Sequence, residues 1–280
     1  MSALSEYWAM VNTAVIMLAL GMRAPAPVNI PVAGLLRAVV LYNIALPSVA
    51  LAVFYAYGIF GTNTLAALSL CVAAAGGTSA GAFVGAVQGM PGLAVRLFIL
   101  LLIASLIMIG AFTQLGLVPL GNGSLASLGF ILFALTLLPL LTGKALLFLL
   151  PNVTATWQPK IETLGSLLVI LLVISLAARY GAGILSGPGE PLLAGVILTL
   201  ILVLPPLLEP DWRFRRTITL ITVVRNLSLA LSLLALTSSS TAGLNTLLAF
   251  GLFMYLAAGL LVWRWKTSLL TSKPFPPPEP

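Results

Sequence analysis

The chain has 280 residues, of which 60% are hydrophobic and 7% charged, and its mean hydropathy is +1.16. Soluble domains carry roughly 25% charged residues, so this composition excludes a soluble globular fold and indicates an all-α polytopic membrane protein. With no histidine and a single cysteine, Cys71, the chain cannot build a His/Cys zinc site, a histidine-held haem, a Ser-His-Asp triad or an intrachain disulfide.

About 20 apolar residues cross a bilayer core. Apolar runs bounded by Pro, Gly or charge predict nine transmembrane helices, at 4–22, 33–57, 64–87, 93–117, 124–150, 161–179, 183–206, 216–236 and 242–265. Glu6 shortens the first run, and a cleaved signal peptide is the competing reading there. The residues before that run hold no Lys or Arg, which argues against it. Residues 271–280 form a Pro-rich tail with five prolines from Pro274 to Pro280, an extended stub with no packing role.

The net charge of +7 lies at the membrane flanks, so nucleic acid is not an expected partner. With nine spans, one side carries Arg23, Arg96, Lys160, Arg213, Arg215, Arg216, Arg264, Lys266 and Lys273, and the other only Arg179. Arg37 and Lys144 fall in span ends facing the rich side. The basic side belongs in the cytoplasm, which places the N-terminus outside and the C-terminus inside. With no targeting segment, a bacterial inner membrane is the expected location, with the lipid bilayer as partner. Asn152-Val153-Thr154 matches a glycosylation acceptor but falls on the predicted cytoplasmic side, and is read as chance.

Two spans carry features that lipid does not accept cheaply. The third contains Gly76-Gly77-Thr78-Ser79-Ala80-Gly81. Paired glycines weaken a helix, and nearby hydroxyls offer partners to freed backbone groups, so Gly76, Gly77 and Gly81 are candidate helix-break residues. A close helix contact built from small residues fits the same composition equally well. The eighth span contains Arg225-Asn226. Arg225 lies about 13 Å along the helix from Arg215–Arg216, near the midplane, where an arginine costs about 2.5–3.5 kcal/mol. A structural arginine satisfied by carbonyls at a helix break is one reading. A functional cation facing a polar cavity is the preferred one.

The third span runs inward and the eighth outward, at corresponding places in the two halves of the chain. Paired interruptions of opposite direction suggest an inverted repeat with a midplane site, hence a transporter. Nine spans then represent a five-plus-five plan without its first helix. An enzyme is not expected, because no catalytic set comes together: Lys144 and Ser175 sit in different spans. A cation/proton antiporter would need a carboxylate in the membrane, and all six acidic residues fall in loops, tails or span ends.

Gly76-Gly77-Thr78, Gly89, Gly92-Leu93-Ala94 and the late Arg225-Asn226 follow one another as in the bile acid:sodium symporter family, which this chain resembles over nearly its whole length. The family's Glu-Val-Gly-Met-Gln-Asn segment matches Ile221 to Asn226. Leu18 to Met22, Pro31, Leu35-Leu36 and Pro47 resemble its early segments. The resemblance implies two broken, crossed helices within a panel domain (spans one, five and six) and a core domain (the other six). It also implies an organic anion bound near the crossing and driven by two sodium ions.

The sodium-site positions depart from that pattern. They fall on Ala80, Gly81, Ile221, Arg225, Ala94 and Phe98, and an early glutamine falls on Tyr42. Sodium is therefore a doubtful partner, and no metal or cofactor is expected. Arg225 supplies a permanent positive charge where the family uses mobile ions. The expectation is sodium-independent uniport or exchange of a carboxylate by alternating access. Thr78, Ser79, Arg225 and Asn226 make its polar contacts, with Tyr42, Asn43 and Gln114 as further cavity-lining candidates. For Asn43 and Gln114, hydrogen bonds between helices are the favoured reading. A sodium symporter using backbone oxygens and an uncoupled channel are the alternatives.

Overall fold

The computed structural model describes residues 3–23, 31–77, 79–118, 130, 133–186, 189–236 and 241–271. Thr78, the first residues of the fifth expected span (124–129) and the tail beyond Thr271 lie outside them. Among the described residues the secondary structure is helical, with no strand. The elements are α1 (Ala3–Gly21), α2 (Val32–Ala56), α3 (Thr62–Ala73), α4 (Ala80–Ala86), α5 (Pro91–Gln114) and α6 (Phe133–Leu149). They continue with α7 (Pro151–Ser186), α8 (Gly189–Val203), α9 (Trp212–Val223), α10 (Leu227–Leu236) and α11 (Thr241–Thr271).

Among the described residues, four helical segments are long and apolar enough to cross a bilayer: Val32–Ala56, Pro91–Gln114, Gly189–Leu208 and Ala242–Ser268. Val11–Gly21, Thr62–Ala73 and Phe133–Leu149 are apolar but shorter. Large side chains such as Ile107, Leu208 and Phe148 stand exposed on the helices, as a lipid-facing surface requires and water does not favour. The described residues are thus all-helical, with four helices that could span a membrane. The third and eighth expected spans are each divided, into α3 and α4 and into α9 and α10.

Other boundaries moved for local reasons. The sequence predicts a polar connection between 150 and 161, yet α7 runs unbroken from Pro151 through Pro159. Pro151 sits at the helix start, where its missing N–H costs nothing. Thr156 and Thr163 return their hydroxyls to the carbonyls four residues earlier, at 3.2 and 2.8 Å. The 36 residues span about 54 Å, more than the roughly 30 Å hydrocarbon core, so the polar first turns extend beyond it. Helix α9 begins at Trp212, four residues before the expected 216. Asp211 caps it by accepting from the N–H groups of Arg213 and Phe214, at 2.8 and 3.3 Å.

Helix α1 packs on α6 and α7, while α11 packs on α3 and α8; α3 also meets α5, and α9 meets α4 and α5. The α1–α6 contact is a backbone approach. A Cβ at Gly21 would meet Leu140 O, and one at Gly143 would meet Leu18 O. Gly143→Val is therefore expected to destabilise the folded chain by about 1–3 kcal/mol, the usual cost of overpacking. A lowered melting temperature in detergent checks this, and an unchanged one would refute the contact.

Candidate functional site

Helix α3 ends at Ala73 because the chain turns at Ala74 (φ −77°, ψ 54°), and Gly76 then takes φ +74°, a left-handed conformation that suits glycine. Helix α9 ends at Val223 because Val224 is extended (φ −81°, ψ 101°). The two unwound segments cross and hydrogen-bond to each other. Gly77 N–H donates to Val224 O at 2.8 Å, and Asn226 N–H donates to Ala74 O at 2.9 Å. A helix break buried in an apolar interior leaves orphan backbone groups, and here each break supplies partners for the other. The Gly77–Val224 approach requires glycine, since a Cβ there would lie 2.5 Å from Arg225 O and 2.6 Å from Val224 O. Gly81 differs: it is the second residue of α4, outside the break, and an added Cβ would meet only flexible side-chain atoms at ordinary contact distance, the Phe98 ring at 3.6 Å and Leu20 Cδ1 at 3.9 Å. Its assignment as a break residue is corrected accordingly, because the helix has already resumed at Ala80.

Among the described residues Arg225 is the largest fully buried side chain, 1% exposed. Its Nη1 donates to Val72 O at 3.3 Å and to Asn43 O at 3.4 Å, and its Nη2 donates to Asn43 O at 3.4 Å. Both acceptors have local causes. Val72 lies in the last turn of α3, where carbonyls lack helical donors. Asn43 precedes Pro47 by four residues, and proline has no N–H to offer that carbonyl. Around Asn43, α2 widens to π geometry over Arg37–Ala45, a local defect that often accompanies functional positions. The Arg225 Nε has no partner. Among the described residues no carboxylate pairs with Arg225: Glu162 is bound to Arg23 at 3.3 Å and Glu209 to Arg37 at 3.3 Å.

The other expected contacts divide into two groups. Asn43 joins the crossing, fully buried, with its Nδ2 donating to Thr222 Oγ1 at 3.1 Å and to Ala38 O at 2.7 Å. Its Oδ1 has no partner. Asn226 caps α10, its Oδ1 accepting from Leu229 N–H at 3.1 Å. Ser79 opens α4, with its hydroxyl 3.2 Å from the Tyr255 hydroxyl. Thr78 lies outside the described residues.

Tyr42 and Gln114 do not meet the crossing. The Tyr42 hydroxyl donates to Glu209 Oε1 at 2.7 Å. Glu209 itself, expected in a loop, is 4% exposed, because the turn Pro205–Leu208 folds it inward against Arg37 and Tyr42. Gln114 is an exposed residue at the end of α5. Ser105, on the same helix, donates to Ala75 O in the break at 3.2 Å, and Gln114 lies nine residues further on, about 13 Å along the axis.

Residues the sequence reading passed over are Thr222, Met254 and Tyr255. Met254 Sδ accepts from Arg225 N–H at 3.0 Å. A lone tyrosine within the apolar last span was the available signal for that neighbourhood. The positions where the resemblance implies sodium ligands are apolar or lack side-chain oxygens: Ala80, Ala94, Phe98 and Ile221 are all buried hydrophobics. Compared with known proteins, the chain matches no family model and no curated sequence.

Proposed function

We propose that this chain is a secondary transporter of an organic carboxylate that works by alternating access without sodium, with Arg225 as a fixed cation at the crossing. The observation that carries this reading is the uncompensated guanidinium. It is buried, bonded only through long contacts to two carbonyls, unpaired with any carboxylate among the described residues, and left with a spare Nε donor. A buried cation without a counter-charge is costly, and a bound carboxylate with its two oxygens supplies what is lacking. At 1% exposure a ligand reaches Arg225 only after the surrounding helices move, which favours a carrier over an open channel.

In this reading α1, α6 and α7 form the panel, and the remaining helices form a core built as an inverted repeat around the crossed breaks. The nine-span plan, with N-terminus outside and C-terminus in the cytoplasm of a bacterial inner membrane, belongs to the same proposal. So does the kinship to the bile acid:sodium symporter family. The apolar side chains at Ala80, Ala94, Phe98 and Ile221 favour the sodium-independent form over a symporter.

The test is a thermal-shift screen of detergent-purified protein against small carboxylates, each in sodium and in choline buffer. A ligand at a hundredfold excess over Kd stabilises the folded form by roughly 2.7 kcal/mol. The expected result is at least one carboxylate that raises the melting temperature equally in both buffers. A shift that needs sodium would replace this reading with the symporter, and no shift with any carboxylate would remove the anion site.

A further inference from the structure

The crossing holds a second orphan besides the Arg225 Nε. Asn43 is fully buried, and its Oδ1 has no partner. Ala38 O, 2.7 Å away, can only accept, so the amide end facing it is Nδ2 and the other end is the oxygen. Bonds from Nδ2 to Ala38 O and to Thr222 Oγ1 hold the amide in place, with that oxygen kept from water. A buried acceptor without a donor is costly, and folded chains keep few of them.

The two orphans belong to residues already in contact. Both Nη atoms of Arg225 lie 3.4 Å from Asn43 O, Nε shares their carbon, and Oδ1 is on the same residue as that carbonyl. Standard bond lengths then keep Nε and Oδ1 within about 11 Å of each other. A hydrogen bond occupies about 3 Å at each end, which leaves at most about 5 Å between the ligand atoms that would meet them. Carboxylate and hydroxyl oxygens of a 2-hydroxy or 3-hydroxy acid fall within that span.

Charge narrows the choice. One carboxylate neutralises the one guanidinium at the crossing. Among the described residues the other buried cation, Arg216, sits near the start of α9 with its Nη1 on Val87 O, so a second carboxylate would enter uncompensated. An ammonium could donate to Asn43 Oδ1 but would restore the positive charge that the carboxylate had removed. A ketone oxygen would set an acceptor against an acceptor. A hydroxyl donates and brings no charge.

We propose that the ligand at the crossing is a short 2- or 3-hydroxy monocarboxylate, its carboxylate on Arg225 and its hydroxyl donating to Asn43 Oδ1. Asn43 is then the residue that sets specificity. This inference rests on the carboxylate reading above and supplies the donor that reading leaves open.

The experiment compares ligands of one three-carbon skeleton on the detergent-purified full-length protein in choline buffer at pH 7, with Kd taken from the concentration dependence of the thermal shift. The probes are propionate, racemic lactate, 3-hydroxypropionate, pyruvate and alanine. Lactate or 3-hydroxypropionate should bind about tenfold tighter than propionate or pyruvate, the worth of satisfying one buried acceptor, and alanine no tighter than propionate. In Asn43→Leu, which has no acceptor, the hydroxy acids should lose that tenfold advantage. The unaltered protein decides the matter even where this variant does not fold. Hydroxy acids that bind like propionate would overturn the inference and leave the carboxylate site standing. A preference for pyruvate or alanine would overturn it too, as would a hydroxyl preference that survives in Asn43→Leu. No shift with any of the five ends the short hydroxy-acid ligand, while the wider carboxylate screen still decides the transport reading.

Discussion

Arg225→Gln is expected to abolish carboxylate binding while the protein still folds. Truncating one partner of a buried, hydrogen-bonded charge pair costs about 2–5 kcal/mol of affinity, a loss of roughly thirtyfold or more. The effect on stability is smaller because two terms oppose. Losing the guanidinium leaves Val72 O and Asn43 O short of donors, at about 1–3 kcal/mol per buried group. Removing a cation from bilayer depth returns about 2.5–3.5 kcal/mol. The melting temperature in the absence of ligand should therefore change little, while the ligand-induced shift disappears. Arg225→Lys separates charge from shape: it keeps a cation but has no fork to reach both carbonyls and a ligand oxygen at once, so it should bind weakly. If Arg225→Gln gave the same carboxylate-induced shift as the unaltered protein, the fixed cation would be irrelevant, and Arg225 would be a structural clamp on the two carbonyls.

How far this arrangement could be read from the chain alone depends on the range of each interaction. Gly76-Gly77 and Arg225-Asn226 stand out because paired glycines and an arginine violate the pattern of an apolar span, and both mark real interruptions. That the two interruptions bond to each other, Gly77 to Val224 and Asn226 to Ala74, is a pairing across some 150 positions that no local pattern encodes. The same holds for Asn43. Its carbonyl is left without a donor by Pro47, a local effect, but that Arg225 fills the gap emerges only from the packing of α2 against the break.

Loop assignments misled in a different way. Glu209 follows Pro205-Pro206 and precedes a capping Asp211, which reads as a solvated connection, yet the short turn tucks its carboxylate under Tyr42 and Arg37. Tyr42, adjacent to Asn43, is thereby drawn away from the crossing. Around a helix, neighbouring residues point in directions about 100° apart, so adjacency in sequence does not place two side chains in one site. Gln114 failed by depth: it sits on a helix that does line the break, at Ser105, but more than two turns beyond that level.

Gly77→Ala is expected to be severely destabilising for the addition of a single methyl group. The atoms an alanine Cβ would strike are Arg225 O at 2.5 Å and Val224 O at 2.6 Å, backbone groups that cannot rotate away as a flexible side chain could. The crossing segments would have to separate, stretching the Gly77–Val224 and Asn226–Ala74 bonds, both in buried surroundings. Overpacking costs about 1–3 kcal/mol, and each of those backbone pairs, once opened away from water, adds about 1–3 kcal/mol. A total of that size rivals the entire stability of many domains, so the expected outcome is loss of folded, monodisperse protein after membrane extraction. Gly81→Ala is the matched control. It is five residues away from the Gly76 turn, on the same small-residue stretch, and its Cβ would meet the Phe98 ring at 3.6 Å and Leu20 Cδ1 at 3.9 Å, both ordinary side-chain contacts. It should express and melt like the unaltered chain, or slightly higher, since alanine is favoured over glycine inside a helix. The two variants add the same methyl group within one segment of five residues, so general effects on insertion or expression act on both alike. Equal tolerance of the two would mean that the breaks do not touch at Gly77, and the geometry that holds Arg225 against Val72 and Asn43 would lose its support.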